Sequence, residues 1–158
     1  MDTYNKLATL LRLKINRESL IDLPSLCGVY RKYHCKIYFR AIVGESALAF
    51  YYIVAQINLN KNSNSYSRVN PRLISEGKSK DFLKRDKSGN FVQRNLLISM
   101  IKLINDQGFL HDCSIYQIEL EKNVLSGYFN FTNEDLENIK DCMDFLIVLS
   151  NKIDWVLA

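Results

Sequence analysis

The chain has 158 residues, 47% hydrophobic and 24% charged, with a formal net charge of +4. That length suits one domain with a sizeable core, and both fractions are ordinary for a soluble globular protein. No uninterrupted apolar run reaches the length of a membrane span, and Met1-Asp2-Thr3-Tyr4 lacks the basic region and apolar core of a signal peptide, so a cytoplasmic location is expected.

The charge is unevenly spread. Residues 95–158 carry four lysines against ten carboxylates, which leaves a net +10 on residues 1–94. Within that half, residues 61–94 hold nine Lys or Arg against Glu76, Asp81 and Asp86. A basic segment thus joins a mildly acidic body. Cys27, Cys35, Cys113 and Cys142 show no CxxC spacing, and a cytosolic chain keeps such thiols reduced.

In chain order, Asp2–Leu13 reads as a helix with Leu7, Leu10 and Leu11 on one side, and Pro24 closes the connection that follows. Cys27–Tyr33 fits a short edge strand. His34–Val43 is a clearer strand, since Cys35, Ile37, Phe39, Ala41 and Val43 alternate with Lys36, Tyr38 and Arg40. Gly44-Glu45-Ser46 supplies a hairpin connection. Leu48–Leu59 is apolar on both faces. Its Phe50, Tyr51, Tyr52, Ile53 and Val54 favour a central strand, although a buried helix also fits so short an apolar run.

Residues 60–90 differ in kind. They hold an Asn-Ser-Asn-Ser run, Asn70-Pro71 and Ser88-Gly89-Asn90, and read as a basic, irregular insertion with at most a helical turn over Asp81–Arg85.

Beyond the insertion, Val92, Leu96, Leu97, Ile98, Met100, Ile101, Leu103 and Ile104 cover most of a helix circumference, so a largely buried helix is expected over 91–104, stopped by Asp106-Gln107-Gly108. Ile115–Glu121 alternates, with Tyr116, Ile118 and Leu120 expected inward and Gln117, Glu119 and Glu121 outward. Lys122-Asn123 makes the turn, and Leu125, Gly127, Phe129 and Phe131 point inward on the return strand. Thr132 is a good N-cap for a last helix, with Glu134, Asp135 and Glu137 at its positive end. Leu136, Ile139, Met143, Leu146, Ile153 and Leu157 recur at helical spacing, widened by Cys142, Leu149 and Val156. The expected fold is therefore α+β: one domain over 1–158, an antiparallel sheet with helices packed on one face, in the order α-βββ-(basic insertion)-α-ββ-α.

Chemistry is sparse in this pattern. His111-Asp112-Cys113 holds a thiol, a base and a carboxylate, but contiguous residues on extended chain point to alternating faces, so a loop-to-strand junction is the ordinary reading. His34, Cys35, His111 and Cys113 lack the paired spacing of a structural zinc site. Neither GxGxxG nor GxxxxGK[ST] occurs, and no cofactor or metal is expected. Glu119 and Glu121 fall on the wet face of a hairpin. The non-core feature with physical promise is the insertion, where Lys61, Arg68, Arg72, Lys78, Lys80, Lys84, Arg85, Lys87 and Arg94 are placed to neutralise phosphates, with Tyr66 or Phe82 to stack on bases. A solvated loop that keeps the protein soluble is the competing reading.

The element order, the helix Leu96–Ile104 ending in Asn105, the strand Gly127…Phe131 and the terminal Asp154-Trp155 together resemble the class I chaperones of type III secretion and the related YbjN-like domains. The likeness covers Asp2–Asn58 and Phe91–Ala158. It implies a homodimer that binds an extended segment of a protein partner along apolar grooves, without catalysis. The leading expectation is thus a non-enzymatic, dimeric adaptor or chaperone-like protein. The alternative is a small nucleic-acid-binding or nucleoprotein-inhibiting protein, of a phage or mobile-element type, that uses residues 61–94.

Overall fold

A computed structural model describes residues 3–17, 24–43, 49–62, 66–69, 115–131 and 136–157, together with Ile98 and Lys102. Helix α1 (Thr3–Leu11) buries Leu7 and Leu11, four residues apart on one stripe. It stops two residues short of Leu13, where the sequence places its end. Arg12 adopts φ 55°, the Leu13 N–H donates to Ala8 O at 2.9 Å and the Arg12 N–H to Thr9 O at 3.3 Å. That pair of bonds is a Schellman cap with arginine in the left-handed position usually held by glycine.

Seven strands follow: β1 (Lys14–Asn16), β2 (Ser25–Tyr30), β3 (Tyr33–Val43), β4 (Ala49–Asn58), β5 (Tyr66–Val69), β6 (Ile115–Glu121) and β7 (Val124–Phe131). They form one antiparallel sheet in the order β1-β2-β3-β4-β7-β6-β5. Helix α2 (Leu136–Leu157) closes the chain. The α+β architecture is as expected, and Leu48–Leu59 is resolved in favour of strand: β4 lies at the centre of the sheet.

The departures have local causes. β1 and β5 are both additions, and both are edges: the five expected strands make the interior of the sheet. β2 is consequently not an edge strand, because β1 pairs with it from Lys14↔Cys27 to Asn16↔Ser25. It also ends at Tyr30. Arg31 and Lys32, at φ 46° and 76°, make a two-residue turn that brings Tyr33 opposite Tyr30. Two successive positive φ values define the type I′ hairpin, normally signalled by Asn-Gly. β5 lies inside the segment expected to be irregular over 60–90 and pairs with β6 from Tyr66↔Glu121 to Val69↔Ile118.

Tyr116 is the one misplaced side chain on β6. The register steps from Ile115↔Phe129 to Gln117↔Tyr128, a bulge that turns Tyr116 outward to 37% exposure. Of the helix expected over 91–104, only Ile98 and Lys102 are described. Both are helical, and Ile98 is 43% exposed where burial is expected. The Gly44-Glu45-Ser46 connection, the Asp106-Gln107-Gly108 stop and the Thr132 cap lie outside the described residues. So do the side chains of Phe131, Val156 and Leu157.

The two helices described in full cover one face of the sheet, α1 against β1 and β2, α2 against β4 and β7, and they touch each other. The core is the layer between. Leu26, Ile37, Ile53, Ala55, Ile57, Ile118, Leu120, Leu125 and Phe129 look inward from the strands, and Ile139, Cys142, Met143, Leu146, Leu149 and Ile153 look back from α2. Each fully buried aliphatic side chain of this kind is worth ~1.5–3 kcal/mol over leaving it in water. Gly127 lets β7 and α2 approach closely, since a Cβ there would stand 2.7 Å from Leu146 Cδ1.

Candidate functional site

With α1 and α2 on one side, alternation sends every second strand residue to the opposite face. One cross-strand row traverses all seven strands: Lys14, Cys27, Lys36, Gln56, Ser126, Glu119 and Arg68 stand in successive register. The next row holds Tyr38, Val54, Tyr128 and Gln117. Val54 is buried although it faces away from the core, because the direct cross-strand neighbours on either side of it are Tyr38 and Tyr128.

This outer face is organised by polar contacts. Lys36 Nζ lies 4.6 Å from the centroid of the Tyr38 ring, close enough for a cation–π contact. The Tyr128 hydroxyl donates to Glu119 Oε2 at 3.0 Å, and Gln117 Nε2 donates to Glu119 Oε1. The Tyr116 and Tyr128 rings meet at 6.3 Å, tilted by 50°. Toward the β2 side lies an open hollow of about 440 Å³, lined by Cys27, Gly28, His34, Cys35, Lys36, Gln56 and Asn58. Gly28, at φ 152° and with Leu13 Cδ2 3.2 Å from where its Cβ would stand, keeps β2 tight against the end of α1.

Nucleophilic chemistry is not prepared here. Burial pushes the Cys35 thiol up to about 11, so it is protonated at neutral pH. Its Sγ lies 3.8 Å from the Gly28 carbonyl oxygen, while His34 is exposed on the other face of β3. Among the described residues no three His, Cys, Asp or Glu side chains gather as a metal cluster. His111, Asp112 and Cys113 lie outside the described residues.

The basic candidates separate. Lys61 is exposed at the end of β4, and its backbone N–H donates to Asp154 Oδ1 at 3.1 Å. Tyr66 and Arg68 sit on the β5 edge directly across from Glu121 and Glu119, so carboxylates oppose them in register. Arg72, Lys78, Lys80, Lys84, Arg85, Lys87 and Arg94 lie outside the described residues.

A second polar network ties the sheet to α2. Tyr30 donates to Asp144, which also receives Arg31 Nε at 3.2 Å and Lys140 Nζ at 3.9 Å. Tyr33 donates to Asp154 Oδ2 at 2.8 Å and lies 2.9 Å from the Asn151 amide, and Asp154 accepts the Asn60 N–H at 3.3 Å. Burial first, then the hydrogen bond to Asp144 and its charge, raise Tyr30 to about 12, and Tyr33 is raised for the same reasons by Asp154. Asp144 reads in sequence as a solvated helix charge. Its partners Tyr30 and Arg31, like the Tyr33 partner of Asp154, are more than a hundred residues away and leave no local signal. The outer-face row did have one, the alternation of Lys36, Tyr38 and Arg40 against the apolar residues of β3.

No family profile, curated protein or solved structure matches the chain.

Proposed function

We propose that this chain is a non-enzymatic binding protein, a small dimeric adaptor or chaperone-like domain whose outer sheet face receives an extended segment of a protein partner. The observation that carries the reading is the mixed chemistry of that face. Lys14, Lys36 and Arg68 share it with Glu119 and Glu121, and tyrosines lie between them. A nucleic-acid surface needs cations that converge without carboxylates among them, because its affinity comes from displaced counterions. A polypeptide carries both signs of charge and apolar side chains, and tyrosines give large contact area at little entropic cost.

The test pairs two measurements. A display library of extended peptides should yield ligands whose binding is lost in Lys36→Glu and Tyr38→Ala with the fold intact by circular dichroism. Labelled single- and double-stranded nucleic acid, followed by fluorescence anisotropy at low and near-physiological salt, should show no tight complex. Tight binding that weakens steeply with salt and disappears when Lys84, Arg85 and Lys87 are all replaced by Ala would overturn the reading in favour of nucleic acid.

A further inference from the structure

The solvent side of α2 divides into two halves. Val148 and Trp155, seven residues apart, fall on one face of the helix and are 40% and 72% exposed. Trp155 is the chain's single tryptophan, and a tryptophan this open to water is a common mark of an interface. Lys152 lies between them, with its Nζ 4.7 Å from the centroid of the Trp155 ring. One to three turns toward the N-terminus the same face turns acidic, with Glu137 and Asp141 exposed and Asp144 half-buried in its pairs with Arg31 and Lys140. The helix thus presents an acidic half and an apolar, cationic half.

Such a surface is complementary to itself when reversed. We propose that a second copy of this chain docks antiparallel on the solvent face of α2, about a two-fold axis at Val148. Residues equidistant from the axis then meet. Lys152 of each copy comes within one helical turn of the other's exposed Asp141, beside an Asp144 that Arg31 and Lys140 already neutralise, and each Trp155 covers the partner's helix at Asp141. The pairing is isologous, as a closed two-fold dimer requires, and it removes the tryptophan from water. The proposal rests on the dimeric reading above and names its interface. A single helix face of ~33 Å length is a small contact, so the dimer forms in a concentration-dependent way and does not lock permanently.

Trp155 is its own reporter. In sedimentation velocity across a dilution series, the wild-type chain should pass from monomer to dimer, with tryptophan emission moving to shorter wavelength over the same range. Trp155→Ala and Val148→Asp should each weaken dimerisation by roughly 30-fold or more, as expected for a central interface anchor. Lys152→Glu should weaken it too, and adding Asp141→Lys in the same chain should restore it, an outcome that loss of folding cannot mimic. A dimer indifferent to these four changes would overturn this interface while leaving the dimeric reading standing. A monomer at every concentration, with constant emission, would overturn both.

Discussion

Replacing Gly127 with alanine tests the close packing of β7 on α2. The new Cβ would stand 2.7 Å from Leu146 Cδ1 and 3.0 Å from Cδ2. Carbon atoms settle at ~3.5–4.0 Å, so the nearer pair is too close by roughly an ångström. Leu146 is fully buried and cannot swing into water. Overpacking of this size costs ~1–3 kcal/mol. Alanine also stiffens the unfolded chain relative to glycine, which returns ~0.5–1 kcal/mol. Gly127→Ala should therefore destabilise the wild type by up to ~2.5 kcal/mol. Leu146→Ala alone should cost ~2–5 kcal/mol by opening a cavity. In that background the methyl at 127 is freed of the Leu146 Cδ1, Cδ2 and Cγ contacts and fills part of the void, so the same Gly127→Ala change should now stabilise. The sign reversal, a coupling of ~1–3 kcal/mol, is the prediction. Urea unfolding followed by far-ultraviolet circular dichroism measures all four corners of the cycle, with Leu146→Val as the gentler background if Leu146→Ala is too unstable. An equal effect of Gly127→Ala in both backgrounds, or a stabilised wild type, would refute the packing argument.

Three further outcomes follow from local geometry. Lys32 holds φ 76° at the second turn position of the β2–β3 hairpin, so Lys32→Gly should raise the urea midpoint, by up to ~1 kcal/mol; a drop would mean the turn is not strained. Tyr30 titrates near 12 when folded and 10.0 when unfolded, so the stability it contributes is complete below pH 10 and declines as pH climbs toward 12, because the unfolded chain ionises first. Cys35, raised from 9.0 to about 11, gives a loss of the same sign that begins lower. Tyr30→Phe should flatten the alkaline fall in stability, and equal slopes in the two proteins would discard the assignment. Asp154→Ala removes the acceptor of the Tyr33 hydroxyl and of the Asn60 and Lys61 amides, and should cost ~1–3 kcal/mol with faster hydrogen exchange at both amides. Unchanged exchange there would show that the 60–61 segment is held by other contacts.

The interior of the fold was legible because its signals are periodic. Alternation marked β3, β6 and β7, and 3.6-residue spacing marked α2, since burial on one side acts on every residue of those elements. The misreadings fall where special backbone geometry is carried by residues that do not advertise it. Arg12 caps α1 and Arg31-Lys32 turn a hairpin, all with positive φ and none of them Gly, Asn or Asp. β1 and β5, three and four residues long, are too short to show a period, and β5 is set between an Asn-Ser-Asn-Ser run and Asn70-Pro71, which read as a loop. The Tyr116 bulge is invisible for a related reason: one extra residue reverses the alternation without changing composition. For the outer face, the sequence supplied the residues of each strand but not the register that aligns Lys36 with Gln56 and Arg68 with Glu119.

Among the described residues, the Trp155 face of α2 and the tyrosine-bearing face of the sheet lie on opposite sides. α2 faces the core with Leu146 and Ile153 and faces away from it with Val148 and Trp155, while the tyrosine-bearing side of the sheet looks the other way. A two-fold dimer through α2 would consequently set the two sheet faces on opposite outer sides of the pair. Such an assembly is bivalent, and a partner with two suitable segments would bind it with an avidity that neither face provides alone. Val148→Asp then has a specific signature. It should leave the affinity for a single-segment peptide unchanged, because the sheet face is untouched, and lower the apparent affinity for a two-segment ligand. Equal losses for both ligands would place the partner site on α2 itself.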